Sequence, residues 1–147
     1  MAARFTYVPA GEGPTWNLMG EVEVFKRTGE DYSFFETISQ PQNGAPLHIH
    51  PEMDEVLYVL DGEFLVQADE QKLTVRTGDF VHFPKGTPHG YKNAGAQPGR
   101  LLFLCTPGGY EKFFEAMSQA VAGGPPDMET LMQVARDHGS EIVGPLP

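Results

Sequence analysis

A single cysteine, Cys105, stands among 147 residues, so no disulfide can close within the chain and a reducing compartment is the simple expectation. Basic residues are scarce as well. Ten Lys and Arg face 20 Asp and Glu, a formal charge of −10. With no cluster of positive side chains to neutralise a phosphate backbone, no nucleic-acid partner is expected. No apolar run approaches the ~20 residues of a membrane-crossing helix. The opening "MAARFTYVPAGEGP" has one Arg but no apolar run of signal-peptide length. These shortages together predict a cytoplasmic protein without a membrane partner. The one tryptophan, Trp16, lies near the N-terminus, where contact with a partner subunit is one reading.

What is present suffices for a core. Hydrophobic residues make up 40% of the chain and charged residues 20%, the balance of a globular domain, and residues 1–147 are read as one. Two regimes follow one another. From about 20 to 106 the chain is a series of short strand-like runs: "EVEVF", "YSFFETIS", "EVLYVL", "EFLVQA", "KLTVR", "DFVHF" and "RLLFLC". Turn residues separate them, and Asp61-Gly62 reads as a hairpin signal. Strands this short and this evenly spaced predict an all-β antiparallel sandwich or barrel. From 107 to 147 the period changes. In "YEKFFEAMSQAVAGG", Phe113, Phe114, Met117, Ala120 and Val121 recur at helical spacing, with Gly123 as the expected C-cap. A second helix is read from Asp127 as N-cap to Gly139, with Met128, Leu131, Met132 and Ala135 as its apolar stripe. Both helices are too short to bury a face alone and should pack on the barrel. The tail "SEIVGPLP" is expected to be extended.

The chemistry concentrates in two stretches. In "GAPLHIHPEMDEVLYVLDG", a strand through "LHIH" turns His48 and His50 to one face, because strand side chains alternate with period two. Glu55 begins the next strand and shares a face with Leu57 and Val59. A carboxylate among apolar neighbours is costly unless it is paired or bound to a metal; a solvated face or an edge strand is the competing reading. In "GDFVHFPKGTPHGYKN", Pro84, Gly86 and Pro88 punctuate a tight loop that delivers His89 to the start of another strand.

These residues resemble the cupin superfamily. Its first motif, G-x5-H-x-H-x3,4-E-x6-G, is matched by His48, His50, Glu55 and Gly62, and its second, G-x5-P-x-G-x2-H-x3-N, by Gly78, Pro84, Gly86, His89 and Asn93. One departure stands out: the opening glycine of the first motif falls at Gln42, and the glycine sits at Gly44. The resemblance implies a double-stranded β-helix, or jelly-roll barrel, carrying the two C-terminal helices. It also implies one divalent metal held by His48, His50, Glu55 and His89. Three imidazoles and a carboxylate without a thiolate leave Fe, Mn, Ni, Co, Cu and Zn all open. A homodimer formed through N-terminal strands is implied as well.

Among cupins the chain is similar to small proteins resembling quercetin 2,3-dioxygenase. That likeness implies a dioxygenase taking a small phenolic, flavonol-like substrate together with dioxygen, with Glu55 as both ligand and general base. Another metal-dependent cupin enzyme is the first alternative: an isomerase, decarboxylase or lyase of a small oxo or hydroxy acid. Its anionic substrate would need one of Arg76, Lys85, Lys92 or Arg100 near the site. A non-enzymatic small-molecule binding cupin is the second. Several residues carry plainer readings. His82 is expected to be a hydrogen-bonded strand residue, His138 to sit in the last turn of a helix where it suits the macrodipole, and Cys105 to pack. Phe113 and Phe114 are expected beneath the first helix, with a cavity lid as the alternative. Phe35, Phe64, Phe83, Tyr91 and Phe103 are split between barrel core and pocket wall.

Overall fold

Each alternating run becomes a strand, and the strands join into two antiparallel sheets in a computed structural model that describes residues 4–147. One sheet has the order β1 (Thr15–Leu18), β2 (Glu21–Arg27), β3 (Ser33–Ser39), β10 (Gly99–Thr106), β5 (Asp54–Asp61) and β8 (Phe80–Phe83). The other has the order β11 (Glu141–Ile142), β4 (Gly44–Ile49), β9 (His89–Asn93), β6 (Glu63–Ala68) and β7 (Gln71–Arg76). This is the jelly-roll fold expected, with helices α1 (Glu111–Val121) and α2 (Met128–Asp137) following the barrel strands.

The core follows from period two. On β5, Glu55, Leu57 and Val59 are buried, as their shared face predicted. The centre is a row of phenylalanines paired across three strands: Phe25 on β2 opposite Phe35 on β3, itself opposite Phe103 on β10. Their rings stack at 4.5 and 5.2 Å. Burial of each such side chain stabilises the fold by about 1.5–3 kcal/mol. Phe114 of α1 presses its ring edge-on against Phe25 and Phe35, at 5.7 and 5.3 Å, which fixes the helix to the barrel. Trp16 packs edge-on to Phe25 at 5.3 Å, so its ring is tied to this core.

Two local expectations are corrected. Asp61-Gly62 is not a hairpin turn: β5 and β6 lie in different sheets, and the chain crosses between them at Gly62, whose φ is +109°. A turn dipeptide reports a change of direction but not whether the flanking strands pair. Gly123 does not cap α1. The cap is Ala122, and the left-handed glycine is Gly124. At its start α1 has no side-chain cap of its own; Ser33 Oγ on β3 accepts from Tyr110 N at 3.1 Å instead. The tail is extended as expected and adds β11 to the edge of β4. Asp127 caps α2 as read, its Oδ1 accepting from Thr130 N at 2.7 Å.

The departure from the first motif also has a structural account. Gln42 has φ +70°, so a left-handed residue is required where the motif carries glycine. Gly44 serves another purpose, since a Cβ there would collide with the Tyr91 carbonyl group. The close approach of β4 to β9, which brings His48 opposite His89, depends on it. Gln42→Gly should therefore raise stability by about 0.5–1 kcal/mol, because it relieves the left-handed strain. A thermal melt checks this, and a lowered midpoint would refute the strain argument.

Candidate metal centre

Four side chains from three strands and one loop converge inside the barrel. His48 leaves β4, His50 stands just beyond its end, Glu55 lies at the start of β5 and His89 opens β9. All four are buried, and one ligand atom from each lies within 4.8 Å of the others. Donors each about 2.0–2.2 Å from a shared ion would be at most about 4.4 Å apart. Contraction by a few tenths of an ångström completes such a shell. Among the described residues this is the one buried cluster of His and Glu that could hold a metal.

The surroundings orient the donors. His48 Nδ1 lies 2.7 Å from the Pro46 carbonyl and His89 Nδ1 lies 2.9 Å from the Thr87 carbonyl, so each carries its proton outward and presents Nε2 to the cluster. Phe83 stacks on the His89 ring at 4.2 Å and fixes its plane. Glu55 Oε2 is 2.6 Å from His89 Nε2. Burial alone would raise Glu55, but the adjacent His89, with smaller pulls from His50 and His48, holds its carboxyl down at about 2. Burial would likewise lower His89, yet Glu55 outweighs it and raises the imidazole. For His48 the pull of Glu55 is outweighed: burial, then the charges of His89 and His50, push it down to about 3, and burial lowers His50 as well. Three of the four groups thus favour the forms that bind a cation, and the proton on His89 Nε2 is the one a divalent ion would displace. The donor set fits a borderline divalent metal.

Beside the cluster lies a cavity of about 270 Å³, lined by His48 and Glu55 and walled by Phe35, Phe103, Phe113 and Phe114. Phe113 and Phe114 thus pack on the core and also line the cavity, while Phe64 and Phe83 belong to the core alone. None of Arg76, Lys85, Lys92 and Arg100 lines the cavity. Arg76 reaches Glu63 at 3.1 Å and Arg100 reaches Glu36, both on the outside. His82 is half-exposed, with Nε2 3.9 Å from Asp54 Oδ1, and His138 caps α2; neither is a member of the cluster.

Three residues near the site escaped the sequence reading, and Cys105, packed in the core as expected, also reaches it. Tyr110 places its hydroxyl 3.4 Å from His50 Nε2. Cys105 Sγ lies 3.7 Å from Glu55 Oε1, and burial followed by that carboxylate pushes the thiol pKa up, so it stays protonated and can donate. Glu21 and Glu23 line the cavity. The signal for these two was in "EVEVF", where both share a face with Phe25.

The Cupin domain family model matches residues 35–105, which contain all four candidate ligands. Protein SchB of Streptomyces halstedii is 37% identical over 104 residues, covering 71% of this chain and 64% of that protein. Quercetin 2,3-dioxygenase of Bacillus subtilis is 29% identical over 87 residues, covering 56% of this chain and 26% of that enzyme. The chain therefore spans less than two thirds of the length of these curated relatives. Among solved structures, the TT1209 protein from Thermus thermophilus superposes with a TM-score of 0.59 at 27% identity, over 63% of this chain and 88% of that one.

Proposed function

The chain belongs to the cupin superfamily, and from that premise we propose that it is a metal-dependent dioxygenase of a small phenolic, flavonol-like substrate. His48, His50, Glu55 and His89 hold one divalent transition metal in this reading. The observation that carries it is the cavity beside the cluster: aromatic, and without a Lys or Arg among its lining residues. Such walls suit a flat, neutral ring system and offer an anion no Lys or Arg side chain. The likeness to a quercetin 2,3-dioxygenase is further support.

A bound metal would supply Lewis-acid activation of the substrate hydroxyl and a redox route to dioxygen. The remaining work falls to this chain's residues. Glu55 both completes the cluster and lines the cavity, so it is the carboxylate that takes the substrate's hydroxyl proton. The phenylalanine walls orient the ring and keep water from it. Cys105, donating to Glu55 Oε1, and Phe83, stacked on His89, hold those two groups in place.

Small anionic acids are disfavoured on the same ground. Apart from the metal itself, a carboxylate or phosphate entering this cavity meets the charged Glu55 and no Lys or Arg. The test is oxygen uptake by protein loaded in turn with Fe(II), Mn(II), Ni(II) or Co(II). Quercetin should drive oxygen consumption, whereas oxalate and sugar phosphates should neither bind nor turn over. Turnover of an oxo acid without oxygen would replace this reading with an isomerase or decarboxylase.

A further inference from the structure

Two carboxyl groups inside the barrel have no part in the metal cluster. Glu21 and Glu23 alternate with Val22 and Val24 on β2 and turn inward beside Phe25, leaving 7% and 3% of their surfaces exposed. No Lys or Arg pairs with either among the described residues. Hydroxyls hold them instead: Ser39 Oγ and Tyr91 OH donate to Glu21, and Thr37 Oγ1 donates to Glu23 Oε2. Glu23 Oε1 finds no partner among the described residues and is left to the cavity that Glu23 lines. Packing alone does not ask for this. An apolar pair would fill the same space without the desolvation cost that buried carboxyls carry.

The strand register says where these groups stand. Ser33, Cys105, Glu55 and Phe83 form one row across β3, β10, β5 and β8. The next inward row is Phe25, Phe35, Phe103 and Leu57, and the one after is Glu23, Thr37, Leu101 and Val59. Glu23 is thus two rows from the metal-cluster row, with the phenylalanines between them. Two rows are four residues of strand, or about 13 Å of rise. Tyr91, two residues beyond His89 on β9, bridges the interval and ends at Glu21. The cavity therefore has two polar ends separated by aromatic walls, a shape for a flat molecule that carries oxygen at both ends.

We propose that Glu21, Glu23 and Tyr91 form a second recognition point, which binds a hydroxyl or carbonyl of a neutral multi-ring substrate whose reacting hydroxyl lies at the metal cluster. The proposal rests on the dioxygenase reading and adds a specificity determinant to it. Burial keeps Glu23 protonated well above the usual carboxylate range, so the site can both donate to and accept from a neutral oxygen. A site built around a substrate hydroxyl rejects the analogue that lacks it, because its own polar atoms are then stranded.

The experiment measures anaerobic binding of two flavonols to the metal-loaded protein: 3-hydroxyflavone, which carries only the reacting hydroxyl, and quercetin, which adds hydroxyls at the far ends of the ring system. Quercetin should bind at least ~10-fold more tightly. Glu23→Leu should bring that ratio to within about twofold, with metal content confirming that the fold and the cluster survive. Should the leucine variant not fold, Glu23→Gln and Glu21→Gln, which keep the shape, should each reduce the ratio. Equal affinities in the unaltered protein, or a ratio untouched by every variant, would overturn the second recognition point and leave the dioxygenase reading intact. Binding of neither flavonol would overturn both.

Discussion

Glu55→Gln should lower flavonol turnover by roughly 10²–10⁴-fold, the usual contribution of a positioned general base, while metal content falls far less. Glutamine has the same shape and keeps a carbonyl oxygen for the cluster, so the three imidazoles and the amide oxygen can still hold an ion. What it loses is the negative charge and the capacity to take a proton. Glu55 lies where both matter, 2.6 Å from His89 Nε2 and on the cavity wall. Its low proton affinity in the metal-free cluster comes from His89. A metal in place of the His89 proton keeps the carboxylate ionised, which is the form a base requires. Elemental analysis and oxygen uptake on the same preparation decide the matter. If metal and activity fall in parallel, Glu55 is a ligand only.

The second large effect is on stability and has an unusual sign. Glu21 is raised from the usual carboxylate value of 4.5 to about 7, by burial first, against the opposing hydrogen bonds of Ser39 and Tyr91. A group whose folded pKa exceeds its unfolded one favours folding while both states are protonated, and loses that advantage as pH rises through the folded value. Glu21 should therefore cost stability between about pH 4.5 and 7, reaching about 3 kcal/mol above pH 7. Glu21→Gln removes the titration and keeps an acceptor for Ser39 and Tyr91. At pH 8 the variant should be the more stable by an amount approaching that figure, and the gap should narrow to under ~1 kcal/mol by pH 5. His48 acts in the opposite direction, since its depressed pKa costs stability as pH falls from 6.5 towards about 3, and it cancels in the comparison. Denaturant melts at pH 5 and 8, with saturating metal throughout, check it. Parallel pH profiles for the two proteins would mean that Glu21 stays charged in its pocket.

The two effects separate two parts of one interior. Glu55 is tied to imidazoles and should act through charge. Glu21 and Glu23 are tied to hydroxyls and should act through neutral hydrogen bonds. Along the strands the two sets are separated by the row of Phe25, Phe35 and Phe103.

Much of this was readable from residues alone, because it depends on local rules. Period two sets His48 and His50 on one face, and Glu55 with Leu57 and Val59 on another. The proline-glycine loop before His89 needs no distant partner to be recognised as a turn. The apolar stripe of α2 and its Asp127 cap are likewise properties of a dozen neighbouring residues. Apart from the cap of α1, what failed or was missed depends on which strand lies beside which. Alternation in "EVEVF" says that Glu21, Glu23 and Phe25 share a face but not that the face is interior, and closure of the barrel decides that. Asp61-Gly62 marks a bend, and only the sheet order makes it a crossing between sheets. Tyr110 and Cys105 reach the cluster from 60 and 50 residues away, through a loop and a strand that sequence spacing cannot bring together. Covalent geometry fixes the direction of a side chain relative to its neighbours along the chain. Its surroundings are fixed by long-range pairing, and a carboxyl has different chemistry against a histidine than against a serine.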